Sequence, residues 1–329
     1  MTLTSTSAEV RPARRATRTV LMFFLVLPGL LWALVRLSGQ ERGPLVQLFA
    51  YTPYAALWAW VPVVIALRAR RWLATAAAVL AALVLAVCVL PRALPDAHRG
   101  PATGVRVTVM TINMFVGAAD PASVVKLVRD HDVAVLAVQE FTPRAREGLT
   151  AAGLDTLLPY HSLAEEWDPT GSGLYSRFPI SAAGSARAKG NNQQAYATVQ
   201  PPGATALAVQ SAHPLAPYAV SALADWRAGL AAEPVPDPDG PPRILLGDFN
   251  STLDHAPIRH LIDRGYRDAA DTVGEGLVPT WGPWYHHLPP VTLDHVLVDE
   301  RVGVRDVSVH GVTGSDHRAV IATLTVPAA

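Results

Sequence analysis

The chain has 329 residues, 50% of them hydrophobic and 16% charged, too apolar and too low in charge for a disordered or fibrous protein. Its net charge of zero hides two biased halves: residues 1–100 hold 11 Arg and 3 acids (+8), and residues 101–329 hold 16 basic and 24 acidic residues (−8). The acidic half argues against a nonspecific grip on nucleic-acid phosphates, which needs Lys and Arg, and a single cysteine, Cys88, excludes an intrachain disulfide.

Three uncharged apolar stretches come first, at about 19–35, 45–67 and 72–90, each near the ~20 residues of a spanning helix. Arg11, Arg14, Arg15 and Arg18 precede the first, as in a cleaved signal peptide. Two further apolar runs follow without a small-x-small cleavage site, which favours retention in the membrane. Arg68, Arg70 and Arg71 separate the second and third runs, whereas Arg36 and Arg42 between the first and second are diluted by Glu41. The positive-inside bias puts the N-terminus in the cytoplasm, and three crossings put the chain beyond about residue 91 outside the plasma membrane. Tyr51, Tyr54, Trp58, Trp60 and Trp72 read as interfacial anchors and packing residues. Residues 1–92 thus form a multi-pass membrane domain and 93–103, in a Pro- and Gly-punctuated stretch, a linker; 104–329 form a second domain.

From residue 105, β-branched runs alternate with short amphipathic segments, the pattern of an α/β domain. Strands are expected at 105–112, 133–138, 174–175, 196–199, 206–210, 244–246, 293–298, 302–309 and 319–326. Asp120-Pro121 and Thr142-Pro143 open helices, and further helices cover 218–232 and 256–264. The Pro- and Asp-rich run 233–242 reads as a surface loop. Nine or more strands in this length suggest two packed sheets with helices outside.

Polar residues gather where these strands stop. Asn113 ends the first and Gln139-Glu140 the second; His213 follows 206–210, and Gly247-Asp248-Phe249-Asn250 follows 244–246. Asp294-His295 opens a late strand, and Ser315-Asp316-His317 precedes the last. Carboxylates, amides and imidazoles at strand termini mark a site at one edge of a sheet.

The ordered set TINM, QE, SRFPI, SAH, GDFN, TW, LDHVL and SDH resembles the endonuclease/exonuclease/phosphatase family of DNase-I-like and sphingomyelinase-like phosphoesterases, over essentially all of 104–326. The resemblance implies a four-layered α/β sandwich, two packed mixed sheets flanked by helices, here preceded by three transmembrane helices. It implies Glu140 as the main metal-binding acid, helped by Asn113 and Asp316, hard oxygen ligands suited to Mg²⁺, with Mn²⁺ as the alternative. His317 would be fixed by Asp294, Asp248 would orient or deprotonate the attacking water, and Asn250 and His213 would donate to phosphate oxygens; whether Asp248 or His317 takes the proton stays open. Ala319 and His295 depart from residues frequent in the family, Pro and Tyr respectively.

The family's core serves several substrates, so other features must choose among them. The acidic domain, the membrane tether and the loop TWGPWYHHLPP at 280–290, with Trp281, Trp284, Tyr285 and Leu288, favour an apolar, lipid-linked phosphate. His286 and His287 offer a second metal site as a minor alternative. Three spans and an outward-facing domain also resemble the VanJ-type membrane proteins associated with teicoplanin resistance, which implies polyprenyl phosphates or pyrophosphates as substrate and a link to glycopeptide resistance. Membrane lipids are then the expected partners, nucleic acid is disfavoured, and protein partners are not specified. The rival expectation is an extracytoplasmic nuclease or a sphingomyelinase-like phospholipid phosphodiesterase.

Overall fold

The structure is a computed structural model that describes residues 10–282 and 288–329, with side chains from residue 20 onward. The expectations for Trp284, Tyr285, His286 and His287, and for the side chains of Arg11, Arg14, Arg15 and Arg18, lie outside the described residues. The chain divides into two units, Met1–Glu41 with Tyr51–Leu90, and Arg42–Ala50 with Pro91–Ala329.

The first unit contains α1 (Val10–Ser38). A short helix, α2 (Leu45–Phe49), belongs to the second unit, and the first resumes with α3 (Thr52–Trp58), α4 (Trp60–Arg68) and α5 (Trp72–Val89). Ala78, Ala81 and Ala82 on α5 are buried, small residues that let helix backbones approach. The outward side chains are apolar instead: Phe24, Leu73 and Val87 are 69%, 88% and 73% exposed, a surface that water-soluble domains avoid. Two helices, Val20–Ser38 and Trp72–Ala93, are long and apolar enough to cross a membrane, and Thr52–Arg68 is a shorter apolar helix. The expectation of three full-length spans is corrected here. The second run, read as 45–67, is cut at Tyr51 because Pro53 opens a new helix, where its missing N–H costs nothing, while Val46 and Phe49 bury elsewhere.

The second unit carries β1 (Val105–Asn113), α6 (Pro121–Asp130), β2 (Val135–Gln139), α7 (Pro143–Ala151), α8 (Leu154–Leu157), β3 (Tyr160–Ala164), β4 (Ser172–Ser176), β5 (Ile180–Arg187), β6 (Gln193–Val199) and β7 (Leu207–Ala212). There follow α9 (Leu223–Ala232), β8 (Arg243–Asp248), α10 (Ala256–Ile262), β9 (Tyr266–Asp268), α11 (Ala269–Val273), β10 (Asp294–Asp299), β11 (Gly303–Gly311) and β12 (Arg318–Val326). Asp120 and Thr142 cap α6 and α7 through their side-chain oxygens, with Pro at the first helical position of each.

Two six-stranded sheets result, ordered β11-β12-β1-β2-β4-β3 and β5-β6-β7-β8-β10-β9. Each has one parallel pair at its centre, β1 with β2 and β7 with β8, and is otherwise antiparallel. Val109, Ala137 and Leu174 from one sheet pack against Val209, Leu246 and Val296 from the other. The outer face of the first sheet packs on α6 and α7 through Val124, Val128 and Leu149, and that of the second on α9 and α10 through Leu223, Trp226 and Ile258. β3, β5 and β9 were not anticipated; β5, ISAAGSAR, is mostly exposed and lacks the apolar alternation that marks a half-buried strand.

Three segments differ from their sequence reading because their partners are remote in the chain. α2 is part of the outer core: Val46 is buried with Trp226 and Ile258, and its carbonyl accepts from His255 Nε2 at 2.8 Å. The stretch read as a linker lies along the second unit, with Asp96 N donating to Thr272 O at 2.9 Å and Val304 N to Arg99 O at 2.8 Å. Just before it, Arg92 makes a buried two-pronged pair with Asp254 at 2.8 and 2.7 Å. Glu233, expected on a surface loop, is buried and accepts from Gln194 Nε2 at 2.7 Å and Gln210 Nε2 at 2.8 Å.

Removing one partner of a buried pair strands the other charge, so Arg92→Ala is expected to destabilise the second unit by about 3–5 kcal/mol, with Arg92→Met/Asp254→Leu closer to wild type in thermal unfolding. Burial raises the Glu233 carboxyl to about 7 against the donors that favour its anion. A raised acid binds its proton more tightly folded than unfolded, so its contribution is lost as pH rises towards 7. Glu233→Gln should flatten the dependence of melting temperature on pH in that window.

Candidate active site

The central parallel pair of each sheet ends at the same edge of the sandwich. β1 and β2 run out at Asn113 and Gln139, followed by Glu140, and β7 and β8 run out into His213 and at Asp248. The antiparallel neighbours begin there: Asp294 of β10 pairs in register with Asp248, and Asp316-His317 lead into β12. The eight residues expected from sequence thus arise at one edge, half from each sheet.

Asn113 joins the halves. Its Nδ2 donates to Glu140 Oε1 and to Asp248 Oδ2, both at 3.0 Å, while its Oδ1 accepts from Phe115 N at 2.9 Å. Glu140 Oε2 accepts from Val116 N at 2.8 Å. The loop that supplies this donor holds Phe115 and Val116 at φ of 48° and 50°, and Glu140 and Asn250 are also left-handed, at 52° and 48°. Such conformations cost non-glycine residues about 1–3 kcal/mol each and cluster at functional sites.

His317 Nδ1 donates to Asp294 Oδ2 at 2.8 Å, and its Nε2 stands 3.6 Å from Asp248 Oδ2. Two backbone N–H groups, of Leu293 and Asp294, donate to Thr280 Oγ1 at 2.9 and 3.0 Å and fix the start of β10. Ser315 Oγ donates to Asn113 O at 2.8 Å and accepts from His317 N at 3.0 Å, locking the SDH turn to β1. Asp316 accepts from Trp281 Nε1 at 3.1 Å, so Trp281 acts as a prop for this turn. His213 Nε2 is 3.9 Å from Asp248 Oδ2. Asn250 N donates to Asp248 Oδ1 at 2.8 Å and its Nδ2 to Pro214 O at 3.1 Å.

The two histidines differ in charge state for a physical reason. Burial disfavours the cation in both, and at His213 it prevails and lowers the pKa. At His317 the flanking Asp294 and Asp248 overcome it and raise the pKa to about 10. Burial, with Asp248 adding to it, raises Glu140 against the Asn113 bond, and burial raises Asp248 against His317.

The donor set fits a hard divalent cation. Glu140, Asp248 and Asp294 bring carboxylate oxygens into a buried space, no thiolate lies among them, and Asp294 Oδ1 is buried without a hydrogen bond among the described residues. Crowded carboxylates, two of them (Glu140 and Asp248) raised in pKa by burial, are what a bound cation relieves. Asp248, Asp294 and His317 offer ligand atoms within 4.8 Å of one another. Of the residues expected to hold a metal, Asn113 and Glu140 meet directly; the Asn113 oxygen is turned to Phe115 N, and Asp316 has one oxygen on Trp281.

The supporting network was missed by sequence reasoning. Thr111 Oγ1 donates to Gln139 Oε1 at 3.2 Å, Gln139 Nε2 to Ser211 Oγ at 2.9 Å, and Ser211 Oγ to Val138 O at 3.2 Å, a fully buried bridge between the sheets beneath the site. The available signal was Thr111, Gln139 and Ser211 as polar side chains within or ending strands that are buried along most of their length. His295, the departure from a frequent Tyr, donates to Asp268 Oδ2 at 2.7 Å and Ser251 O at 2.8 Å and braces the loop after Asn250.

Among solved structures, the chain is similar to an endonuclease/exonuclease/phosphatase from Beutenbergia cavernae, 19% identical over 68% of this chain and 72% of that one, with a TM-score of 0.53. It is also similar to a humanized D. rerio TDP2 with 14 mutations, 14% identical over 67% and 99% of the two chains at a TM-score of 0.56. A truncated Caenorhabditis elegans TDP2 is 15% identical over 67% and 98%, at a TM-score of 0.52. At these identities the likeness shows the fold alone. Comparison with curated proteins finds no match. The sequence profile described as "Endonuclease/Exonuclease/phosphatase family" matches residues 110–317, from within β1 to the last histidine of the site. With more than half the chain matched and the site residues brought to one edge, this protein belongs to the endonuclease/exonuclease/phosphatase family.

Proposed function

We propose that this protein is a membrane-anchored, extracytoplasmic hydrolase of lipid-linked phosphates, above all polyprenyl phosphates or pyrophosphates, working by direct attack of water with Mg²⁺ bound. Family membership makes the chain a phosphoester hydrolase, and the family's enzymes depend on a divalent metal. The observation that carries the lipid reading is where α2 folds. Residues 42–50 interrupt apolar helices on both sides, yet they belong to the catalytic unit, as does the chain from Pro91 onward.

Segments packed in one water-facing domain share one side of a membrane, so the chain between them crosses an even number of times. Trp72–Ala93 is long and apolar enough for one crossing, and on this reading the shorter apolar helix Thr52–Arg68 makes the return, with the N-terminus on the opposite face. Arginine bias then puts the catalytic domain outside. Both attachments grip the same place: His255 holds α2 and Asp254 holds Arg92, a few residues beyond Asn250. A domain that takes up the chain segments flanking apolar helices suits a substrate that stays in a membrane. The arrangement resembles VanJ-type membrane proteins, which associates the activity with the cell-wall lipid cycle and glycopeptide resistance.

In the reaction, Asp248 accepts a hydrogen bond from the attacking water and directs its lone pair at phosphorus. His317, its tautomer set by Asp294, completes the proton-handling pair with Asp248. His213, and Asn250 through the second hydrogen of its amide, face phosphoryl oxygens, and Asn113 keeps the carboxylates of the two sheets in register. Glu140 and its neighbours would hold a divalent cation, which would supply charge neutralisation to the phosphoryl oxygens. No side chain serves as covalent nucleophile.

Chelation should abolish activity and Mg²⁺ or Mn²⁺ restore it. Glu140→Gln should raise the metal concentration for half-maximal rate, while His317→Ala should lower kcat about 10²- to 10⁴-fold at unchanged metal requirement. For the substrate, full-length protein in detergent with Mg²⁺ is expected to release inorganic phosphate from a polyprenyl pyrophosphate, with the activity lost in Asp248→Ala. Plasmid nicking, or phospholipid headgroup release, without that phosphate release would overturn the lipid-phosphate reading in favour of a tethered nuclease or a phosphodiesterase.

A further inference from the structure

The membrane unit contains a cavity of about 320 Å³, and Gly29, Trp32, Tyr54, Ala55, Trp58 and Leu85 are among the residues that line it. The indole N–H of Trp32 is taken by Thr52 Oγ1 at 3.0 Å, so the ring offers the cavity its apolar face. We propose that this cavity holds the phosphate-proximal part of the substrate's hydrocarbon tail, an inference that rests on the lipid-phosphate reading above and names how that substrate is recognised.

Depth is the first argument. Trp32 and Gly29 precede the end of α1 at Ser38 by six and nine residues, Leu85 precedes the end of α5 at Val89 by four, and Tyr54 lies in the first turn of α3. At 1.5 Å per residue these positions are about 3–14 Å from the helix ends, within one half of a hydrocarbon core about 30 Å thick. The ends concerned lead directly into 42–50 and 91–103, the segments that belong to the catalytic unit. On three independent helices the cavity therefore lies nearer the ends that lead into 42–50 and 91–103 than the opposite ends, the half of the bilayer in which the chain passes into the catalytic unit.

The lining is the second argument. An unpaired polar group entering an apolar cavity loses several kcal/mol of hydration, which selects hydrocarbon. The volume is at the low end for ligand cavities, about 300–1,000 Å³, so it holds a segment of chain and leaves the rest in the bilayer. Chain continuity is the third: Tyr51, also in the wall, is five residues from Val46, whose carbonyl is bound by His255 behind the catalytic loop. The cavity wall is thus five residues along the chain from a segment packed in the catalytic unit.

The test compares full-length wild type with Ala55→Phe, which fills the cavity, and Trp58→Ala, which opens it. Each is assayed on a long-chain polyprenyl pyrophosphate and on dimethylallyl pyrophosphate, the same headgroup almost without a tail. Loss of contact to two or more methylene groups should lower the long- to short-chain ratio of kcat/KM at least about 10-fold in Ala55→Phe, through KM, whereas Leu73→Phe, on the exposed face of α5, leaves it unchanged. A diazirine-bearing polyprenyl phosphate should label peptides containing residues 28–32 or 51–58 in wild type, a readout that needs no variant to fold. An unchanged ratio in both cavity variants, with labelling spread over all apolar helices, would mean that the cavity takes ordinary membrane lipid and would overturn the inference alone. No phosphate release by wild type from either pyrophosphate, beside efficient cleavage of another phosphodiester, would overturn the lipid-phosphate reading and this inference with it.

Discussion

One amide, Asn113 Nδ2, donates to Glu140 of its own sheet and to Asp248 of the other, and the catalytic geometry depends on that junction. Neither sheet holds a complete site. Each contributes a parallel pair whose carboxyl ends carry acids or imidazoles, and the site exists only where those ends face each other. The Thr111–Gln139–Ser211 bridge below sets the facing distance with buried hydrogen bonds, each costly to leave unmade. A small slip between the sheets would cost both the bridge and the carboxylate register, so stability and chemistry are coupled at this edge.

The same edge explains how two similar imidazoles differ in charge state. His317 is clamped by Asp294 and faced by Asp248, whereas among the described residues the carboxylate nearest His213 is Asp248, at 3.9 Å. Burial acts on both; the number and closeness of carboxylates decide the outcome. The backbone around the site is strained at Val116, Glu140 and Asn250, and the hydrogen bonds of Val116 N to Glu140 and of Asn250 N to Asp248 show what those conformations hold in place.

Behind the catalytic loop, residues 251–255 gather contacts from far along the chain. Ser251 accepts from Trp226 Nε1 at 3.0 Å and its carbonyl accepts from His295, Asp254 binds Arg92, and His255 binds Val46 O. The chain segments that flank the apolar helices are thus structural parts of the catalytic domain. The stretch that composition marks as a leash is held along its length, and the helix read as the start of a span packs on α9 and α10.

Local chemistry was legible in the sequence alone. Apolar runs free of charge, Asp120-Pro121 and Thr142-Pro143 as helix starts, β-branched runs as strands, and the polar residues at their ends all follow from rules that act within a few residues, as does the order of motifs that resembles the family. The tertiary structure alone decided which polar residues meet, that Thr111, Gln139 and Ser211 join the sheets, that Glu233 is buried and that 42–50 and 91–103 belong to the catalytic unit. These depend on partners tens to hundreds of residues away, as between Val46 and His255. Burial and pairing are properties of the packed chain, and a sequence window that contains one partner carries no record of the other.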